Sequence, residues 1–263
     1  QYAHQSIHDG VRMAGCEVRR FKHNDLDDLE RRLRQARNRG ATRILIAVDA
    51  VFSMDGDQAP LAQLLELKRR YEAFLLVDEA HSIGAIGATG RGICEEQGIE
   101  PSEIDILTGS LSKAIPSSGG FVAGSQALKI YLQHGSAPYM FSAAMTPANA
   151  AAVLEALHII QEEPVHLERL RENTRRLKEG ITRLGFDTGA STTPIVPLIL
   201  GDEWRAYHWA RQLIDEGIFV SAVTFPAVSP GQARLRLCAT AAHEPEHFER
   251  LFDALAECAR REG

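Results

Sequence analysis

Only four cysteines occur in the 263-residue chain, at Cys16, Cys94, Cys238 and Cys258. They are scattered without metal-ligand spacing, so the expectation is reduced thiols in a cytoplasmic enzyme, with neither disulfides nor a bound metal. Basic residues are outnumbered as well. Twenty-nine Lys and Arg face 35 Asp and Glu, a net charge of −6 that provides no electrostatic footprint for a nucleic acid. No apolar run is long enough to span a bilayer. A signal peptide, an Arg/Ser-rich transit stretch, internal repeats and low-complexity tracts are all missing. So is an initiator Met, and because the first residues already read like the middle of a fold, a preceding N-terminal segment is expected.

What the chain does have is apolar content, 44% hydrophobic against 24% charged, enough for a large core in one big domain or two smaller ones. Ile44 to Val48, Phe74 to Val77, Ile104 to Leu107 and Phe121 to Ala123 are short, nearly continuous apolar runs, the pattern of parallel strands buried on both faces. Between several of them lie helical stretches. Asp25 to Asn38 carries leucines at helical spacing, and Leu61 to Tyr71 follows Pro60, a residue suited to a helix start. This strand-helix alternation predicts an α/β domain whose ligand lies at the carboxyl ends of the strands. Long helices then fill Thr146 to Glu163 and His166 to Leu184. Strands follow over Ile195 to Leu200, Ile218 to Val223 and Ala233 to Leu237, with a last helix from about Glu244 to Arg261. The change of pattern predicts a large domain over 1–156 and a smaller α+β domain over 157–263.

Two segments carry chemistry. Val77-Asp78-Glu79-Ala80-His81 closes an apolar strand, and Lys113 follows Leu107-Thr108-Gly109-Ser110-Leu111-Ser112. A lysine among small hydroxyl and glycine residues can reach a carbonyl carbon, while an aspartate at a buried strand end can hold a ring nitrogen protonated. Those are the two protein groups a pyridoxal phosphate enzyme needs most. Asp-Glu-Ala-His is also the magnesium-binding signature of one helicase group, but that reading needs a phosphate loop, and no Gly-x-x-x-x-Gly-Lys-Ser/Thr occurs in the chain. Asp55-Gly56-Asp57 starts like a calcium loop without the later ligand positions, so it reads as a turn. Gly84, Gly87, Gly90 and Gly92 do not open a helix where a dinucleotide fingerprint would, and read as a loop covering the cofactor.

These segments also stand in a specific order. Ala3-His4-Gln5-Ser6, Val51-Phe52-Ser53-Met54-Asp55-Gly56-Asp57, Val77-Asp78-Glu79-Ala80-His81, Gly87-Ala88-Thr89-Gly90-Arg91-Gly92, Ser110-Leu111-Ser112-Lys113 and Ala233-Arg234-Leu235-Arg236 follow one another as in the α-oxoamine synthase family. The likeness spans nearly the whole chain and resembles the catalytic part of such an enzyme without the family's N-terminal segment. It implies a fold type I pyridoxal phosphate transferase, with a mostly parallel sheet covered by helices on both faces. The implied reaction is condensation of an amino acid with an acyl thioester, in most relatives with loss of CO2.

The resemblance also assigns roles. Lys113 is implied as the residue that joins the cofactor and then takes the Cα proton, and Asp78 as the partner of the pyridine nitrogen. His81 and Ser53 are implied at the phenolic oxygen, His4 stacked on the ring, and Ser110 at the phosphate. Ser112 stands where several relatives have glycine. Ser142 falls where relatives offer a hydroxyl to the phosphate of a neighbouring subunit, implying a homodimer with shared active sites. Arg236 matches the arginine that clamps the amino acid carboxylate; Arg234 shares its strand face, so spacing alone does not choose between them. Glycine, alanine or serine as the amino acid stays open, as does coenzyme A or an acyl carrier protein as the thioester carrier. An aminotransferase using the same Lys113 and Asp78, and a partner subunit without chemistry, are the alternative readings.

Overall fold

In the computed structural model, which describes residues 1–262, the apolar runs form two separate sheets. Contacts divide the chain into a first unit, Gln1–Phe52 with Gln58–Glu163, and a second, Ser53–Asp57 with Pro164–Gly263. The division falls after Glu163, beyond the expected boundary at 156/157. Helix α7 (Pro147–Glu162) runs unbroken through that expected boundary, and a helix has no hinge at its middle.

The first unit begins with α1 (Gln5–Met13) and α2 (Leu26–Asn38). Asp25 caps α2 by accepting the Asp28 backbone N–H, and the helix buries Leu29 and Leu33. Then come β1 (Leu45–Asp49), α3 (Leu61–Arg70), β2 (Phe74–Asp78), the short α4 (Ile93–Glu96), β3 (Ile106–Ser112) and β4 (Pro116–Gly124). Pro60 precedes α3 as its cap, and the helix buries Leu61, Leu64 and Leu65 along one stripe. Helices α5 (Gln126–Gly135), α6 (Ala137–Met140) and α7 complete the unit.

The sheet order is β1-β2-β3-β4. Strands β1, β2 and β3 are parallel, with Asp49 opposite Asp78 and Asp78 opposite Thr108. Strand β4 departs from the parallel arrangement expected for Phe121 to Ala123, since it pairs antiparallel with β3. The reason lies in the connection: β3 runs on to Ser112 and β4 starts at Pro116, which leaves room for a tight turn but not for a crossover. Lys113 therefore sits in a hairpin turn, and Gly109 to Ser112 belong to β3.

The second unit holds α8 (Val165–Arg183), β5 (Ile195–Gly201), α9 (Glu203–Asp215), β6 (Ser221–Val223), β7 (Ala233–Cys238) and α10 (Pro245–Glu262). Its antiparallel sheet has the order β5-β7-β6. Leu177 and Ile181 of α8, Trp209 and Leu213 of α9, Leu235 of β7 and Leu255 of α10 form one core. The Phe186 and Trp209 rings meet edge-on at 5.4 Å within it.

Ser53–Asp57 is bound into this unit by polar ties. Arg234, only 3% exposed, donates through Nη1 to Asp55 Oδ1 at 2.7 Å and to the Met54 carbonyl at 3.1 Å. The Gly56 carbonyl accepts from the Thr193 hydroxyl at 2.8 Å and from the Thr192 N–H at 3.1 Å. Gly56 itself has φ +70°, and a Cβ there would lie 2.0 Å from the Ile195 carbonyl oxygen. Both the left-handed backbone and the close approach demand glycine. Gly56→Ala is expected to destabilise the protein by about 3 kcal/mol, read from the shift of the urea unfolding midpoint.

Candidate active site

The parallel register aligns the carboxyl ends of β1, β2 and β3, and a cavity of about 750 Å³ opens there in the first unit. His4, Asp78, His81, Ser110 and Lys113 all line it, together with Asp49, Thr108 and Ser112. Five of the eight expected site residues are thus brought to one wall. Its size suits a small cofactor, and its polar groups are few and convergent.

Each side chain has a structural reason for its place. Asp78 ends β2, and its Oδ1 accepts the Ala80 N–H at 3.0 Å, which fixes the carboxylate in the turn that leads to His81. Ser110 and Ser112 hydroxyls lie 2.8 Å apart beside the hairpin turn, giving a hydroxyl pair next to Lys113. His4 caps α1: its Nδ1 accepts the Ser6 N–H at 3.3 Å and sits 2.8 Å from the Ser6 hydroxyl.

Asp49 was not foreseen as a site residue. It is 4% exposed, it accepts the His4 backbone N–H at 3.1 Å, and burial pushes its carboxyl up to about 6. The His4 hydrogen bond and the Lys113 charge oppose that rise, while the neighbouring Asp78 charge adds to it. The signal was present in the sequence, because Asp49 closes an apolar strand just as Asp78 does.

Other expectations fall elsewhere. Glu79 of the Asp-Glu-Ala-His run points away from chemistry: it is buried, its carboxyl is raised by burial, and it accepts from the Ser82 hydroxyl and from the Ile93 N–H at 3.1 Å. Gly84, Gly87, Gly90 and Gly92 all have positive φ and make successive turns braced by Glu79 and Glu95. None of these four glycines is among the residues lining the cavity, so the loop does not cover it as expected. Ser142 follows α6, is exposed, and does not line the cavity either.

Ser53 and Arg236 belong to the second unit, where the Arg236 Nε donates to the Ser53 carbonyl. The neighbouring arginine is committed to structure. Arg234 is buried, with Nε given to the Gln232 carbonyl at 3.0 Å and Nη1 to Met54 and Asp55. Arg236 is half-buried, and its two terminal nitrogens make no hydrogen bond among the described residues, which favours it over Arg234 as a fork for a ligand.

The family model for aminotransferase class I and II matches residues 1–255, and the chain belongs to that family. Within it, the chain is 43% identical over 260 residues to the 8-amino-7-oxononanoate synthase of Symbiobacterium thermophilum, covering 99% of this chain and 66% of that protein. It is 40% identical over 257 residues to 8-amino-7-oxononanoate synthase 1 of Bacillus subtilis, covering 98% and 65%. A solved serine palmitoyltransferase with its PLP internal aldimine superimposes with a TM-score of 0.92 at 32% identity, over 98% of this chain and 65% of that one. The α-oxoamine synthase resemblance and the fold type I architecture are borne out by these matches. The chain spans just under two thirds of the length of the curated relatives it matches.

Asp49 makes stability depend on pH. Its folded carboxyl titrates near 6 and an unfolded one near 3.8, so the folded state holds the proton more tightly. The penalty is absent below the unfolded value, grows as pH rises between the two, and is complete above about 6. Asp49→Asn keeps the acceptor for His4 and removes the charge. In the cofactor-free protein it is expected to raise stability at pH 8 by up to about 3 kcal/mol and to change little at pH 3.5, as measured by urea unfolding at each pH.

Proposed function

We propose that the chain is the catalytic part of a pyridoxal phosphate-dependent C-acyltransferase of the α-oxoamine synthase type. The observation that carries this reading is the placement of Lys113 and Asp78 on one cavity wall at the carboxyl ends of adjacent strands. The donor set fits the cofactor: a strand-end carboxylate for a ring nitrogen, an amine for an aldehyde carbon, a hydroxyl pair for phosphate and two imidazoles. When bound, pyridoxal phosphate supplies an electron-accepting ring that stabilises negative charge at the amino acid Cα.

The remaining work falls to the chain. Asp78 holds the proton on the pyridine nitrogen, with its carboxylate fixed by the Ala80 N–H. Lys113 anchors the cofactor and takes the Cα proton as general base. His81 and Ser53 donate toward the phenolic oxygen, Ser110 binds phosphate, and His4 lies against the ring. Arg236 presents its two terminal nitrogens to the amino acid carboxylate. A bond then forms between Cα and the thioester carbonyl carbon as the C–S bond breaks, releasing the thiol. Loss of CO2 from the β-keto acid leaves the electron pair of the broken C–C bond at Cα, and a proton returned there from Lys113 gives the α-oxoamine.

The partners on this reading are an amino acid and an acyl thioester on coenzyme A or an acyl carrier protein. A homodimer completes the site, with Ser142 serving the phosphate of the partner subunit. Among the described residues no helix is long and apolar enough to cross a membrane.

Experiments on the full-length protein test the reading. Borohydride treatment with pyridoxal phosphate is expected to fix the cofactor onto Lys113, and Lys113→Ala to abolish turnover while the fold is kept; a label mapped to another lysine would overturn the assignment. Asp78→Asn is expected to lower kcat about 10²- to 10³-fold, the scale of one lost electrostatic donor. Product analysis separates the reaction classes, because pyridoxamine phosphate formed without thioester consumption would assign transamination instead.

A further inference from the structure

The roles given above leave Asp49 without a task, although its position is unusual. It is almost fully buried, it lines the cavity, and it stands directly across from Asp78 in the strand register. Its Oδ1 accepts the His4 N–H, while Oδ2 makes no hydrogen bond among the described residues. Burying a carboxylate beside a second one is unfavourable unless the charge does something in return.

The segment that Asp49 holds explains what that is. Helix α1 follows His4 and has no fully buried residue; its apolar Ile7 and Val11 are half-buried, so packing holds it only in part. The His4 ring is turned toward Ser6 and belongs to the first turn of α1. Its backbone N–H is given to β1 through Asp49. A hydrogen bond from a backbone N–H to a buried side-chain oxygen is a local tie where packing is only partial.

We infer that Asp49 is a positioning residue: its carboxylate tethers the His4 segment to the carboxyl end of β1 and so sets where the His4 imidazole stands at the cavity. What that imidazole does there rests on the proposed function; the tether itself does not.

Hydrogen–deuterium exchange of the full-length, cofactor-free protein tests the tether. Asp49→Ala is expected to speed exchange across 4–13 about tenfold, while Asp49→Asn, which still offers an oxygen to His4, stays near wild type. Exchange in β1 and β2 reports whether the variant has kept its fold. Should Asp49→Ala not fold, the donor side gives the same answer. His4 has φ −56°, which proline also adopts, so His4→Pro deletes the N–H at a φ that the position already has, and His4→Ala keeps it. Faster exchange in His4→Pro than in His4→Ala supports the tether. Wild-type exchange in Asp49→Ala, equal speeding in Asp49→Asn, or equal rates in the two His4 variants overturns it. Titration of the same proteins with pyridoxal phosphate separates the two readings: a wild type that binds none removes the functional reading, while the exchange rates still decide the tether. With binding, Asp49→Ala is expected to weaken cofactor affinity about fivefold and Asp49→Asn much less.

Discussion

Parallel pairing of β1, β2 and β3 is the constraint from which the site follows. In a parallel ladder the strands end together, so residues that close them are delivered to one edge whatever their distance along the chain. Asp49, Asp78 and Thr108 are neighbours for this reason alone, although almost sixty residues separate the first from the last. Leu75 and Val77, with no exposed surface, hold the central strand between its neighbours. A one-residue slip of β2 would turn Asp78 to the other face, away from the site.

The reversal at Lys113 then adds a second element to that edge. Because β4 turns back immediately, the lysine is held at the tip of a hairpin and not at the start of a crossover helix. Ser110 and Ser112, flanking the irregular register of that hairpin, place two hydroxyls beside it. In the second unit the same economy recurs: one strand, β7, supplies both Arg234, which is consumed in binding Met54 and Asp55, and Arg236, whose terminal nitrogens stay available. Alternate residues on a strand face the same side, but their burial decides which one can meet a ligand.

Much of this was legible before the fold was known. The apolar runs marked the strands, and the ordered motifs marked Lys113, Asp78, His81, His4 and Ser110, which do line one cavity. The direction of β4 was misread because an apolar run carries no information about strand sense; the short gap after Ser112 does, and it became visible only once the true extent of β3 was known. Helix α9 escaped notice although Asp202 caps it and Ala206, Trp209 and Leu213 recur at helical spacing on its buried face. Between Arg234 and Arg236 the family match chose and spacing could not, since two arginines on one strand face look alike until their partners are seen. Assignment of Ser53–Asp57 to the second unit was equally hidden, because it depends on contacts from residues about 140 to 180 positions away.

The charge pattern of the cavity gives the arrangement its direction. Two carboxylates meet at the ends of β1 and β2, and the Lys113 charge relieves Asp49 there. Burial, with the Asp78 charge beside it, raises the proton affinity of Asp49, and two carboxylates at one edge favour a cation brought against them.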